Sequence, residues 1–237
     1  MYIEHEFYVG FRDVDYKNNL KIKSALSYLE DIAGIHSNIA GYGLLDIEKN
    51  KKTWVLINWK LEFIRRPKYS ENLKVKTWSN GTEKIYALRD FYMYDEQGEV
   101  VAKATSKWVL IDIENMGIAK LTDEVMGAYT TEPDKVFECR AQRLREPEEY
   151  TSSVDVKITK DMIDVNGHVH NINYIDFVTQ IMPIEAMQNA KNVEVLYKKE
   201  IRDEEYIKCF YVAKDNYHYA VIKSADGKNV HAIVKIS

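Results

Sequence analysis

The sequence lacks several features that mark particular classes of protein. Its 237 residues contain two cysteines, Cys139 and Cys209, which lie far apart and form no CxxC pattern. This usage argues against a disulfide framework and suits a reducing compartment. The longest apolar runs resemble WVLI, whereas a membrane-spanning helix needs roughly 18 apolar residues. We therefore expect no membrane span.

An excess of charge of one sign is also missing. The net charge is -4 and the isoelectric point is about 5.9, so bulk charge gives no reason to expect binding to nucleic acid or to an anionic membrane. The opening residues MYIEHEFYVG lack a basic segment followed by an apolar one, so no signal peptide is predicted. Together with the cysteine usage, this predicts a cytoplasmic protein.

Residues that interrupt helices and strands are few, and aromatic residues are many. Four prolines and ten glycines stand against 17 tyrosines, which favours a folded, sheet-rich chain over a disordered one. A strand-like segment at 3–11 and a helical one at 21–43 come first. Strand-like segments follow at 53–64, 72–80, 85–95 and 99–112. A helix followed by several antiparallel strands is an α+β pattern.

The same order of elements begins again in the second half, which predicts an internal duplication. The matches keep an offset of 149 residues and then one of 134: Asp15 with Asp164, Leu26 with Ile175, and Leu61 with Val195. We therefore predict a first unit at 1–130, a charged linker at 131–150 and a second unit at 151–237.

The polar loop before the second helix is the main candidate for chemistry. It carries Asp164, Asn166 and His168, whereas the first copy has Lys17 and Asn19 in place of the last two. Imidazole exchanges protons near neutral pH, and an amide can bind a carbonyl group. N–H groups at the following helix start could stabilise an oxyanion. Asx-turn or capping duty explains Asp164 and Asn166 equally well.

Other sites are weakly supported. His168 and His170 form an H-x-H pair, but the remaining histidines and cysteines are scattered, and a metal site needs three or four ligands. The sequence has no P-loop, G-x-G-x-x-G, G-x-S-x-G or H-E-x-x-H. No metal and no cofactor are predicted.

Several motifs together resemble the acyl-[acyl carrier protein] thioesterases, a family with plant plastid and bacterial members. The most specific is IDVNGHVHNINYI at 163–175, followed by YKKE at 197–200. The first half adds TW at 77–78, LRDF at 88–91 and ATSKWV at 104–109. The resemblance covers nearly the whole chain and implies a double hotdog fold, in which each antiparallel sheet wraps around a long helix.

The resemblance also implies the site and the reaction. The family's catalytic positions map onto Asp164, Asn166, His168 and Glu200, and the first unit would supply the acyl pocket around a degenerate site. Ile201 stands where plant relatives carry a cysteine. A cysteine nucleophile is therefore excluded at this position, which leaves attack by water.

The expected activity is hydrolysis of fatty acyl thioesters on acyl carrier protein, by a monomer or homodimer. An acyl-CoA thioesterase, a hotdog dehydratase and a non-catalytic acyl-binding module are the alternatives, although the dehydratase's closely spaced His and Pro are missing from GHVHN. An acidic carrier protein would need a basic rim around the pocket. Its candidates are Lys198, Lys199, Arg202, Arg140, Arg143 and Arg145.

Overall fold

The computed structural model describes residues 1–138 and 144–237. These residues form two compact units, one of 1–20 with 24–138 and one of 21–23 with 144–237. Within the described ranges, no helix has both the length and the apolar character needed to cross a membrane.

The first unit is a five-stranded antiparallel sheet with the order β1-β3-β4-β5-β2 and a two-residue strand, β6, on the edge of β5. A helix, α1, connects β1 to β2. The elements are β1 (Ile3–Tyr8), α1 (Ile22–Ile39), α2 (Ile47–Asn50), β2 (Lys52–Phe63), β3 (Asn72–Glu83), β4 (Tyr86–Tyr94), β5 (Val100–Asp112), β6 (Gly117–Ile118) and α3 (Asp123–Tyr129).

Helix α1 buries one face because its apolar residues recur every three or four positions. Leu26, Leu29 and Ile32 are each exposed by 1% or less. Tyr28 stacks on Phe7 of β1 with 4.6 Å between the ring centroids. The predicted arrangement of a sheet packed on one long helix is therefore present in this unit.

The second unit repeats this topology. Its elements are β7 (Ser152–Lys157), α4 (Asn173–Thr179), α5 (Ile184–Asn189), β8 (Asn192–Tyr197), β9 (Tyr206–Lys214), β10 (Tyr217–Ser224) and β11 (Val230–Ile236). The antiparallel order is β7-β9-β10-β11-β8, so the first, third, fourth, fifth and second strands again follow one another across the sheet. The α+β class and the two tandem hotdog units are confirmed.

The helical segment of the second unit is not the one long helix that the family resemblance implies, whereas its sequence predicts a kink or an end at Pro183. It is divided into α4 and α5, and Pro183 precedes the first residue of α5. Proline has no backbone N–H and cannot continue the hydrogen-bonding of the preceding helix. The break therefore falls where the sequence placed a proline.

Three residues of the predicted linker pack against the two units, whereas most of its described residues are exposed or half-buried. Val136 and Phe137 form a buried cluster with Trp78 of the first unit, and Leu144 forms another with Val221 and other residues of the second unit. The assignment of acyl binding to the first unit and catalysis to the second stays a prediction.

Candidate active site

The candidate loop is held by the carboxylate of Asp164. Its Oδ1 accepts hydrogen bonds from the backbone N–H of Asn166 at 2.8 Å and of His168 at 3.1 Å. The N–H of Asp164 donates to the carbonyl of His168 at 2.8 Å, and Gly167 takes a φ of +75°. This is an Asx-type turn, in which an aspartate side chain satisfies the following backbone donors. Asp164 therefore positions the backbone on which Asn166 and His168 stand.

The first unit contains the same turn. Oδ1 of Asp15 accepts from the N–H of Lys17 at 2.8 Å and of Asn19 at 2.9 Å, and the N–H of Asp15 donates to Asn19 at 2.8 Å. Asn18 takes the left-handed conformation of the glycine, with a φ of 62°. The predicted duplication thus extends to individual hydrogen bonds, and the aspartate belongs to the shared turn.

Asn166 lies at the exposed tip of the turn. Its Nδ2 is 3.5 Å from Oδ2 of Asp164, a distance at the outer limit of hydrogen bonding. The amide is therefore only weakly engaged by Asp164, and its exposure leaves it accessible to a carbonyl group from outside the loop.

His168 and Glu200 meet beside this turn. Nε2 of His168 is 3.3 Å from Oε1 of Glu200, and the two side chains are 22% and 57% exposed. The Nε2 atom itself is buried, and the two atoms are not in hydrogen-bond geometry. The carboxylate is thus the member of the pair that water can reach.

Glu200 lies in the loop after β8, which ends at Tyr197. The sequence segment NVEVLYKKEI at 192–201 predicts a strand that includes Glu200, and this prediction is therefore wrong. A backbone bond fixes this loop to the turn, because the N–H of Val169 donates to the carbonyl of Ile201 at 3.0 Å. Ile201 is fully buried, so its side chain anchors the loop on the other side.

The first unit has a cation at the place of Glu200. The N–H of Leu20 donates to the carbonyl of Pro67 at 2.8 Å, and this bond matches the bond that ties the Glu200 loop to the turn. The residue before Pro67 is Arg66. Burial lowers the pKa of Arg66 to about 10. A carboxylate–imidazole pair in the second unit is therefore replaced by Arg66 and Asn19 in the first.

Two N–H groups at the helix start are already engaged and do not serve as the oxyanion donors that the sequence suggested. Helix α4 begins at Asn173, whose N–H donates to the carbonyl of His170 at 2.9 Å. The N–H of Tyr174 donates to the carbonyl of Asn171 at 3.2 Å. These two N–H groups are engaged inside the loop, so Asn166 is left as the candidate donor to a substrate carbonyl.

Cys209 is not placed for nucleophilic chemistry. It lies in the interior of β9 and is fully buried, and burial raises the pKa of its thiol to about 12. The thiol is the poor nucleophile of the two ionisation states, so a buried, protonated cysteine is inert. Cys139 lies outside the described residues. In the described ranges, no group of three or more His, Cys, Asp or Glu side chains is arranged to hold a metal ion.

Four of the predicted basic residues are in the described part of the chain. Lys198, Lys199 and Arg202 are exposed in the Glu200 loop. Arg145 is also exposed and directly follows the buried Leu144. Arg140 and Arg143 lie outside the described residues.

Both halves of the chain match one protein family. Residues 2–129 match the acyl-ACP thioesterase N-terminal domain, and residues 145–234 match the acyl-ACP thioesterase C-terminal domain. The chain belongs to the acyl-ACP thioesterase family. The resemblance drawn from the sequence motifs is thus confirmed.

Plant members of the acyl-ACP thioesterase family are similar to most of this chain. An oleoyl-acyl carrier protein thioesterase 2 of Arabidopsis thaliana is 25% identical over 86% of the chain and 61% of its own length. An oleoyl-acyl carrier protein thioesterase of Coriandrum sativum is 25% identical over 97% of the chain and 67% of its own length. The chain thus spans about two thirds of the length of these plant proteins.

Solved structures of the same family share the fold. An acyl-ACP thioesterase from Bacteroides thetaiotaomicron has a TM-score of 0.86 at 22% identity, over 99% of this chain and 96% of its own. The 12:0-ACP thioesterase from Umbellularia californica has a TM-score of 0.84 at 18% identity, over 100% and 96% of the two chains.

Proposed function

We propose that this chain hydrolyses fatty acyl thioesters on acyl carrier protein, releasing a free fatty acid and the carrier's thiol. Family membership supports the reaction class. The observation that carries the proposal is the contact of 3.3 Å between His168 and Glu200, beside a turn that presents Asn166. The first unit keeps the turn and has Asn19 and Arg66 instead.

Glu200 acts as the general base in this proposal. Its carboxylate is 57% exposed, so a water molecule can occupy a position within about 3 Å of it, as proton abstraction requires. Glu200 removes a proton as the water oxygen attacks the thioester carbonyl carbon. His168, whose buried Nε2 lies 3.3 Å from the same carboxylate, positions Glu200.

Asn166 holds the carbonyl oxygen. Its Nδ2 donates a hydrogen bond that strengthens as negative charge develops on that oxygen in the tetrahedral intermediate. Collapse of the intermediate breaks the carbon–sulfur bond, and the proton held by Glu200 or His168 passes to the departing thiolate. The products are a carboxylic acid and a thiol. Because water itself attacks the carbonyl carbon in this proposal, no covalent acyl-enzyme is formed.

The carrier is proposed to dock on the basic residues near the site. Lys198, Lys199 and Arg202 flank Glu200 in sequence and are exposed, and an acidic carrier protein would be attracted to them. A cytoplasmic location and a monomeric or homodimeric state stay predictions.

The test is turnover of a series of purified acyl-carrier proteins of increasing chain length, with matched acyl-CoA substrates in parallel. We expect higher kcat/KM with the carrier-bound substrates, and His168→Ala should lower the chemical step by at least about 10²-fold. Higher kcat/KM with acyl-CoA would make the chain an acyl-CoA thioesterase. Acyl binding without turnover would make it a binding module.

A further inference from the structure

A second histidine of the same unit is buried beneath the loop that carries Glu200. His231 lies in β11 and its side chain is 0% exposed. Its Nδ1 is 3.0 Å from the carbonyl oxygen of Lys199. A carbonyl oxygen only accepts hydrogen bonds, so Nδ1 carries the hydrogen and donates it.

The bonded carbonyl belongs to the peptide group that joins Lys199 to Glu200. On the other side of Glu200, the carbonyl of Ile201 accepts from the N–H of Val169 at 3.0 Å. Glu200 is therefore held between two anchored carbonyls, one fixed by the turn and the other by the His231 ring.

Glu204 completes the arrangement. Its Oε1 is 3.0 Å from Nε2 of His231, within ion-pair distance but outside hydrogen-bond geometry, and its side chain is 25% exposed. The imidazole thus lies between the start and the end of the loop 198–204. One nitrogen bonds to the backbone before Glu200, and the other faces a carboxylate four residues after Glu200.

The first unit shows that the fold does not need a histidine at this place. In the second unit the N–H groups of Lys198 and Lys199 lie 2.8 and 3.4 Å from the carbonyl of His231. In the first, the N–H groups of Ile64 and Arg65 lie 2.9 and 3.1 Å from the carbonyl of Val101. Val101 is 1% exposed. The backbone frame is the same with a valine, and the ring contacts belong to the unit that carries Glu200.

We infer that His231 is a positioning residue, which acts with Glu204 to hold the carboxylate of Glu200 against His168. This inference rests on the proposed hydrolysis, since it concerns the placement of the proposed base. Displacing a reacting group by about 1 Å can cost on the order of 10²-fold in rate.

The test compares three substitutions at one position, with the acyl-carrier substrate that gives the highest kcat/KM. His231→Val introduces the residue that the first unit uses and should lower kcat about 10-fold with little change in KM. His231→Asn keeps a donor at the position of Nδ1 and should restore kcat to within about 3-fold of the parent. His231→Gln places its amide at the position of Nε2, so it should behave like the valine variant.

A double-mutant cycle with Glu200→Gln shows whether His231 acts through Glu200. We expect His231→Val to cause no further loss when Glu200 is already glutamine. The inference applies to variants whose circular dichroism and Tm match those of the parent. It would be overturned by full kcat in His231→Val, by equal losses of kcat in the valine and asparagine variants, or by the same fold-loss from His231→Val with Glu200 and with Gln at position 200. Full activity in Glu200→Gln would instead refute the proposed role of Glu200.

Discussion

Replacing Glu200 with glutamine separates the chemistry of the site from its stability. The change keeps the size and shape of the side chain but removes its ability to take a proton from water. Loss of a general base costs at least about 10²-fold in the chemical step, which corresponds to about 2.7 kcal/mol in the activation free energy. We expect this loss in the single-turnover rate constant for carrier-linked substrate, which product release does not mask.

Stability should barely respond to the same change. Glu200 is 57% exposed, and ion pairs with a solvent-exposed partner contribute about 0–1 kcal/mol. For a chain of this size, 1 kcal/mol corresponds to a shift in Tm of about 2–4 °C. A Glu200→Gln variant with a near-parent Tm and a rate lower by about 10² would support the assignment.

Glu205→Gln is the matched control. Glu205 is exposed, precedes β9 directly, and contacts Lys157 at 3.9 Å, so the substitution makes the same change in charge at a nearby position. Its rate should stay within about 2-fold of the parent. Near-parent turnover in Glu200→Gln, or an equal loss in both variants, would refute the role of Glu200.

Three further predictions concern the turn, the first unit and the carrier. Asp15→Ala and Asp164→Ala should each lower the free energy of unfolding measured in urea by about 1 kcal/mol, because each removes a pair of side-chain-to-backbone hydrogen bonds. Only Asp164→Ala should lower turnover. Equal activity in the two variants would contradict the assignment of the site to the second unit. Burial, and then the Arg89 cation, lower the pKa of His36 from 6.5 to about 3, so protonation of His36 below pH 6.5 favours the unfolded state. Between pH 7 and 5.5 the parent should therefore lose about 1 kcal/mol more stability than the His36→Asn variant. Parallel stability profiles for the two proteins over this pH range would refute this prediction. Rising ionic strength should lower kcat/KM for carrier-linked substrate but not for a short neutral thioester, and an equal response would remove the docking proposal.

The turn and the duplication could be predicted from the sequence because they depend on local spacing. An aspartate followed two and four residues later by polar residues, and then by a helical pattern, is visible in both halves. The first strand was predicted to extend through Phe11, which is instead 85% exposed. The chain turns at Gly10, whose N–H donates to Oδ2 of Asp13 at 3.0 Å, and a side-chain hydrogen bond of this kind overrides alternation of apolar residues.

The remainder of the site depends on pairings that sequence spacing does not reveal. In NVEVLYKKEI, Ile201 keeps the two-residue spacing of Val193, Val195 and Tyr197, and only Lys199 interrupts it. The pattern therefore does not show that the strand ends at Tyr197 and that Glu200 lies in a loop. His231 was missed because it contacts Lys199 just beyond the last pair of the β8–β11 ladder, Tyr197 with Ala232. The difference between His231 and its counterpart in the first unit, Val101, would have pointed to this residue. The two positions can be matched only once the strand register is known.

Direct attack by water is the central claim, and one turnover in H₂¹⁸O tests it. The chain, in excess over acyl-carrier substrate, should release fatty acid that carries one ¹⁸O atom. In samples quenched during the turnover, the peptide that contains Glu200 and both cysteine-containing peptides should keep their unlabelled, unacylated masses. Unlabelled fatty acid with ¹⁸O in the Glu200 peptide would show that Glu200 attacks the thioester itself. An acyl group trapped on Cys139 or Cys209 would show a cysteine nucleophile, and either result would contradict the account.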